Sequence, residues 1–325
     1  MTTCPTPTDS TVMVPDPGQA GQAGEAGRPG PESPHPAQLA VGVVGAGRAG
    51  TAMAAALGRA GHRVVAASAV SQASIERVAT RLPGVPVVRP EEVVTRAGLV
   101  LLTVPDDALA GLVAGLAAAE VPLEGKLIAH ASGRHGLGVL DPVVAKGALP
   151  LAMHPVMTFT GRVEDEARMN GISFGVTAPP PLRPVAEVLV VEMGGEPVFI
   201  PEDKRGIYHA ALASAANHLI TLVTASAEML GTAGVEDPAA MLAPLLYAAL
   251  ENAIVLGPAA LTGPVARGDA DTVAAHVAAI KAAAPELLSS YLALARLTAD
   301  RALAARTLTA DDAERLLGVL SGPTA

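Results

Sequence analysis

Three glycines and a few polar side chains, placed where apolar runs end, carry the chemistry this chain can offer. Gly45, Gly47 and Gly50 stand in GAGRAG, directly after the valine-rich run Leu39–Val44 and before an alanine-rich segment that ends at Gly61. Strand, glycine turn and helix in that order suit a dinucleotide. Gly45 allows the tight turn, Gly47 lets a pyrophosphate approach the backbone, and Gly50 lets the helix pack on the strand. The helix N-terminus turns free N–H groups and a positive dipole end toward the phosphates. His154 follows another apolar run and precedes Pro155. It titrates near neutral pH and suits general acid work; the alternative is a ring bonded to backbone. His209, Ser214 and Asn217 share one apolar stretch, where His209 and Asn217 fall about 80° apart on a helical wheel. Arg267, framed by glycine and proline in TGPVARGD, suits bidentate capture of a carboxylate, or else pairs with Asp269 in a helix-capping turn. Hydride transfer to a carbonyl needs such a set: a held nicotinamide, a proton donor and a cation for a substrate carboxylate.

The elements that would position these groups are legible in order. After the first helix, His62–Ala67 reads as a second strand. A dinucleotide without a ribose phosphate asks for an acid near its end. The chain has Ser68, Ser71, Gln72 and Ser74 there, with Arg48 at the start of the first helix. The pattern favours NADP over NAD, the other reading of the serines being a loop that caps the next helix, 74–82. Val85–Val88 reads as a short strand and 91–97 as a short helix. Gly98–Val104 is a buried strand that delivers Val104 and Pro105 to the cofactor, with Asp106 or Asp107 capping a helix over 108–119. Lys126–His130 is a strand ending at Ala131-Ser132-Gly133. Strand-like pieces follow at 148–153, 172–177 and 197–200, with a helix over 183–193. Beyond about residue 201 only helices are expected, over 205–230, 238–256, 269–282, 285–304 and 309–320. The first of these is apolar on nearly every face, which predicts burial in a core or a subunit interface and a homodimer through the helical part.

Composition narrows the function classes. The formal net charge is −9 with no local basic cluster, which argues against a nucleic-acid partner. Cys4 is the one cysteine, so no intrachain disulfide forms and a reducing, cytoplasmic setting fits. Residues 1–37, rich in Pro, Gly, Gln, Thr and Ser, read as a disordered tail without signal-peptide features. No segment reads as membrane-spanning, since Pro244, Glu251, Asn252 and Gly257-Pro258 interrupt the apolar stretch 241–261. The scattered histidines, His130 and His135 included, lack metal-site spacing, and no metal is expected.

The order VGVVGAGRAG, LVLLTVPDDAL, IAHASGRHG, MHPVMTF, YHAALASAANHL and LTGPVARGD resembles the Rossmann-like proteins with a C-terminal DUF2520 domain, over roughly residues 38–300. The resemblance implies an α/β, doubly wound, mostly parallel Rossmann sheet over 38–201, followed by an all-helical, 6-phosphogluconate dehydrogenase-like domain over 202–325. It also implies kinship in fold with ketopantoate reductase, pyrroline-carboxylate reductase and prephenate dehydrogenase. On that basis Ser132 and His154 resemble the serine and His-Pro that flank the reacting ring in prephenate dehydrogenases. Asn217 resembles the asparagine of the Lys-Asn pair in hydroxyacid dehydrogenases, but Ala213 stands where the lysine would be. His209, His154 or Lys204 is left to replace it, and the alternative for Asn217 is a helix–helix hydrogen bond. The expected activity is NADPH-dependent reduction of a small, acidic 2-oxo acid of the ketopantoate type. The alternatives are a cyclic-imine reductase, an oxidative decarboxylase or a dinucleotide sensor without turnover.

Overall fold

The computed structural model describes residues 38–321, so the expectations for residues 1–37 and Cys4 lie outside the described residues. The doubly wound sheet is present. Strand β1 (Ala40–Val44) is valine-rich and its last four residues are buried. It feeds α1 (Arg48–Arg59), buried from Gly50 to Leu57 because alanine lets the helix lie flat on the sheet. Next come β2 (Arg63–Ser68), α2 (Gln72–Arg81), α3 (Pro90–Arg96), β3 (Leu99–Leu102), α4 (Asp106–Ala118) and β4 (Leu127–His130). They are followed by α5 (Asp141–Val144), β5 (Leu149–Pro155), α6 (Glu164–Arg168), β6 (Ser173–Thr177), α7 (Arg183–Glu192) and β7 (Glu196–Phe199). The sheet order is β2-β1-β3-β4-β5-β6-β7. All pairs are parallel except β5 with β6. The order reverses between β1 and β3, and the crevice at their carboxyl ends is where such sheets take ligands.

The strand β5 outruns its neighbour. Leu149–Ala152 pair with β4, while Ala152–Pro155 pair with β6. His154 therefore lies inside the overhanging half of a strand, where the sequence reading placed it after one. Two other boundaries differ. Val85–Val88 is no strand: one bridge joins Ala67 to Val87, because Pro86 has no N–H to extend it. The helix expected from 108 begins at Asp106 with Pro105 as its cap, so Asp106 and Asp107 sit in the first turn and cap nothing.

Beyond β7 the chain is helical: α8 (Arg205–Ala213), α9 (Leu219–Thr232), α10 (Pro238–Leu256), α11 (Ala270–Ala283), α12 (Leu288–Ala304) and α13 (Ala310–Leu320). The expected helix over 205–230 is interrupted by a π-helical turn, Ser214–His218. Within one chain its faces are not buried: Ile207 is 70 % and Ile220 61 % exposed. Helix α10 falls on the expected span 238–256, running through Pro244, Glu251 and Asn252 and ending at Gly257. By length and composition alone, Glu202–Thr232 and Pro238–Ala260 are long and apolar enough to cross a bilayer, a test that the core helix of a soluble protein also passes. A separate small core joins α11, α12 and α13 through Val273, Ala299 and Leu316.

One close approach fixes the sheet's upper layer. A Cβ on Gly42 would lie 2.5 Å from Val93 Cγ1 and 2.9 Å from Ala97 Cβ. Gly42→Ala should therefore overpack α3 against β1 and cost about 1–3 kcal/mol, read from denaturant unfolding.

Candidate functional site

The glycines of the first turn are required for different reasons. Gly45 has φ +87°, and a Cβ there would sit 2.7 Å from Val104 Cγ1. Gly50 must be glycine because a Cβ would collide with the Thr103 hydroxyl. That hydroxyl donates to the Gly45 carbonyl at 2.7 Å and latches the turn to the end of β3. Gly47 is another matter. Its φ of −75° suits any residue, and a Cβ would meet nothing of the protein closer than Gly45 O at 3.7 Å. No internal contact explains it, whereas a ligand approaching the backbone does. The first turn of α1 holds no acid and no side-chain cap, so its N–H groups stay open. The turn fits a dinucleotide pyrophosphate.

Around it, Val104 packs on Gly45, and Pro105 starts α4. Arg48 is exposed at the first position of α1. Ser68 is buried at the end of β2, and its carbonyl accepts from Gly45 N and Ala46 N at 3.1 and 2.8 Å. Ser71 does what the capping alternative asks: its hydroxyl accepts from Ser74 N and starts α2.

The loop after β4 is built by its own polar groups. His130 Nδ1 accepts from Ser132 N at 3.2 Å, so its Nε2–H donates to Gly136 O at 2.9 Å. Burial pushes this imidazole down to about 4 and keeps it neutral. The Ser132 hydroxyl accepts from His135 N at 3.1 Å, which gives it a structural task in the loop.

A cleft of about 450 Å³ opens where β5 meets the helical region. His154, His209 and Asn217 all line it, with Met157, Leu212 and Ala213 among the apolar walls. The π turn carries Asn217 to this face, and π turns of this kind recur at functional sites. His154 Nδ1 bonds the Tyr208 hydroxyl at 2.8 Å, and its ring meets His209 edge to face with centroids 6.0 Å apart. Two glycines make room for the cluster. A Cβ on Gly133 would lie 2.6 Å from His209 Cδ2 and 3.0 Å from His154 Nε2, and one on Gly175 would displace the Tyr208 hydroxyl.

Behind the cluster lies a group the sequence reading missed. Arg205 is 1 % exposed. Its guanidinium donates to Ser132 O at 2.6 Å, Thr177 Oγ1 at 3.1 Å and Gly175 O at 3.3 Å. It forms no ion pair among the described residues, and its Nε has no partner. Burial, then the Arg205 charge and His209, push His154 down to about 4. Arg205 and Tyr208 escaped notice because both read as the edge of an apolar helix. The available signal was a lone arginine opening that helix.

Two other candidates lie apart from this cleft. Lys204 is exposed and pairs with Asp203 at 2.7 Å. Arg267 bonds the Thr262 carbonyl, while Asp269 caps α11. Within one chain the capping turn is present without the expected Arg267–Asp269 pair, and Arg267 is not among the residues lining the cleft.

His130 and His154 bind protons less readily folded than unfolded, where imidazole titrates near 6.5. Stability is therefore whole above pH 6.5 and declines as pH falls from there toward 4. The melting temperature should drop across that window, and NMR should show both rings titrating near 4. Gly175→Ala should shift the His154 ring resonances and cost about 1–3 kcal/mol.

Comparison with known proteins agrees with this architecture. A Rossmann-like domain model matches residues 27–155, and the model of a domain of unknown function, DUF2520, matches residues 172–298. Curated protein sequences give no match. Among solved structures, a Bacteroides fragilis protein described as an NADP oxidoreductase superposes with a TM-score of 0.69 at 21 % identity, covering 81 % of this chain and 98 % of its own. A Thermotoga maritima protein gives 0.61 at 20 %, covering 82 % and 99 %. The reductive aminase of Aspergillus terreus, in complex with NADPH and ethyl levulinate, gives 0.60 at 18 %, covering 86 % and 99 %. At these identities the likeness is one of fold. Residues 27–155 thus carry a Rossmann-like domain and residues 172–298 a DUF2520 domain.

Proposed function

We propose that this chain is an NADPH-dependent reductase of a C=N or C=O bond in a small, largely apolar molecule. The observation that carries the reading is the single cleft lined by His154, His209 and Asn217 at the carboxyl end of the sheet that holds the glycine turn. Strand ends link the two: Thr103 latches Gly45, and Gly133 touches His154.

The dinucleotide, when bound, supplies the hydride. The chain supplies polarisation and an apolar seat. In this reading the Tyr208 hydroxyl, 2.8 Å from His154 Nδ1, donates to it and leaves the ring proton on Nε2, the nitrogen beside Gly133. A neutral imidazole N–H donates well to a carbonyl oxygen or imine nitrogen, and Arg205 behind it opposes a second proton. The Asn217 amide offers a second hydrogen bond from the cleft lining, beside walls of Leu212, Ala213 and Ala216 that suit an apolar molecule.

A 2-oxo acid needs a cation, and the cleft lining contains no lysine or arginine. Arg267 would have to arrive from a second copy. The Aspergillus aminase, crystallised with NADPH and a neutral ester, supports the C=N and C=O reading.

We also propose that the helical region pairs with a second copy. Ile254, Tyr247 and Val255 on α10 are 77, 75 and 72 % exposed, a density of apolar surface that marks an interface. Arg205 and Tyr208 anchor the start of α8 to the sheet, which favours a helical partner over a lipid one.

The test is NADPH oxidation against cyclic imines, ketones with and without an amine, and 2-oxo acids. His154→Gln should lower kcat by about 10²-fold with NADPH affinity unchanged. Tight binding without turnover of any substrate would leave a dinucleotide sensor instead. Gly47→Val should weaken NADPH binding about tenfold or more with an unchanged melting temperature. Ile254→Glu should yield monomers in light scattering.

A further inference from the structure

A separate cavity, of about 540 Å³, opens at the carboxyl ends of β6 and β7 and shares no lining residue with the cleft of His154. Its walls are mostly apolar, with Leu137, Val176, Phe199 and Ile200 among them. Phe199 is 38 % exposed there, whereas Phe174 on the neighbouring strand is fully buried. Two charged side chains share the lining, Arg183 and Glu202. The Arg183 guanidinium stands over the Phe199 ring, 5.4 Å from its centroid. Its side chain is exposed and makes no hydrogen bond or ion pair among the described residues. Glu202 is held in place by the loop after β4: its carboxylate accepts from Leu137 N at 2.8 Å and from Gly138 N at 3.2 Å. A Cβ on Gly136 would collide with that carboxylate. Glu202 forms no ion pair among the described residues, with Arg183 or any other cation. An ionised carboxylate has room for about four donors, so Glu202 keeps acceptor capacity toward the cavity.

An apolar cavity with one guanidinium and one carboxylate selects by charge pattern. A hydrocarbon leaves both charges unmatched. A simple carboxylate suits Arg183 but is repelled by Glu202, and a simple amine meets the reverse. A zwitterion satisfies both, while the walls take an apolar body. The guanidinium fork matches a carboxylate bidentately, and its seat over the Phe199 ring orders it beforehand.

We infer that this cavity is a second binding site, for an α-amino acid with an apolar side chain. The carboxylate meets Arg183, the ammonium group meets Glu202, and the side chain lies against Phe199 and Val176. The inference does not rest on the reductase reading. The site is linked to the cleft through two of its own residues. Thr177 lines the cavity, donates to Ile200 O at 2.7 Å and accepts from Arg205 at 3.1 Å. Glu202 lines it and braces the loop that carries Ser132 and Gly133. An occupant therefore bears on the Arg205 anchor behind His154.

Calorimetry on the full chain tests this, with L-phenylalanine, L-leucine, glycine, 3-phenylpropanoate and 2-phenylethylamine as probes. L-Phenylalanine or L-leucine should bind once per chain, at least about tenfold more tightly than glycine or either singly charged analogue. Arg183→Gln should weaken that binding about tenfold or more and leave the melting temperature and the circular dichroism spectrum unchanged. In NMR, the bound amino acid should shift the His154 ring resonances of the wild type and not those of Arg183→Gln. A wild type that binds neither amino acid at up to about 10 mM overturns the inference. So does 3-phenylpropanoate binding as tightly as L-phenylalanine, and so does amino-acid binding that Arg183→Gln leaves unchanged. Binding without any shift of the His154 ring overturns the link to the cleft. None of these measurements involves the dinucleotide, so the reductase reading stands or falls by its own assays.

Discussion

The whole site depends on one buried cation. Arg205 donates from a single guanidinium to the loop after β4, to β6 twice, and to no carboxylate. Each bond joins the first turn of α8 to the sheet, so the direction of the helical region is set there. Tyr208 lies one turn on, with its ring 5.7 Å from the guanidinium, and His209 follows it. Hydrogen bonds from a charged donor to backbone carbonyls are worth about 1.5–3 kcal/mol each, more than the weak apolar contacts of this aromatic-poor chain supply at one point. Desolvating the cation works against that gain and makes the arrangement sensitive to any lost acceptor.

The same charge sets the chemistry. A buried arginine without a counter-ion raises the potential around the cleft, and His154 responds by staying neutral. This is unlike a histidine beside a carboxylate, which gains a proton and acts as a cationic acid. The fold offers a hydrogen-bond donor that does not charge near neutrality, with its second nitrogen held by a tyrosine. Gly133 and Gly175 are part of the device, since each leaves the space that a ring or hydroxyl fills.

Legibility in the sequence followed locality. The strand, glycine turn and helix of residues 39–60 were readable because the apolar run, the glycine spacing and the helix lie within one short window. The spans of α10 to α13 were readable from the periodic apolar pattern. Val85–Val88 was not, because pairing beside Pro86 depends on a partner strand and on N–H groups that the pattern does not encode. Arg205 was unreadable for a stronger reason: its acceptors lie 28 to 73 residues away in sequence. His154, His209 and Asn217 were picked out by residue type, yet only the overhang of β5 and the π turn explain how three distant residues share one cleft. The exposed faces of α8 to α10 were half readable. Their apolarity demands burial, but a pattern within one chain does not say which molecule provides it.

The two glycine-built regions divide the work along one sheet edge. At the phosphate end, glycine leaves space for something outside the chain: nothing internal comes near a Cβ on Gly47. At the chemical end, glycine leaves space for the chain's own rings. The turn after β5 spans the interval between them, pinned by Asp165 and tied back to α1 and α2 through Glu166.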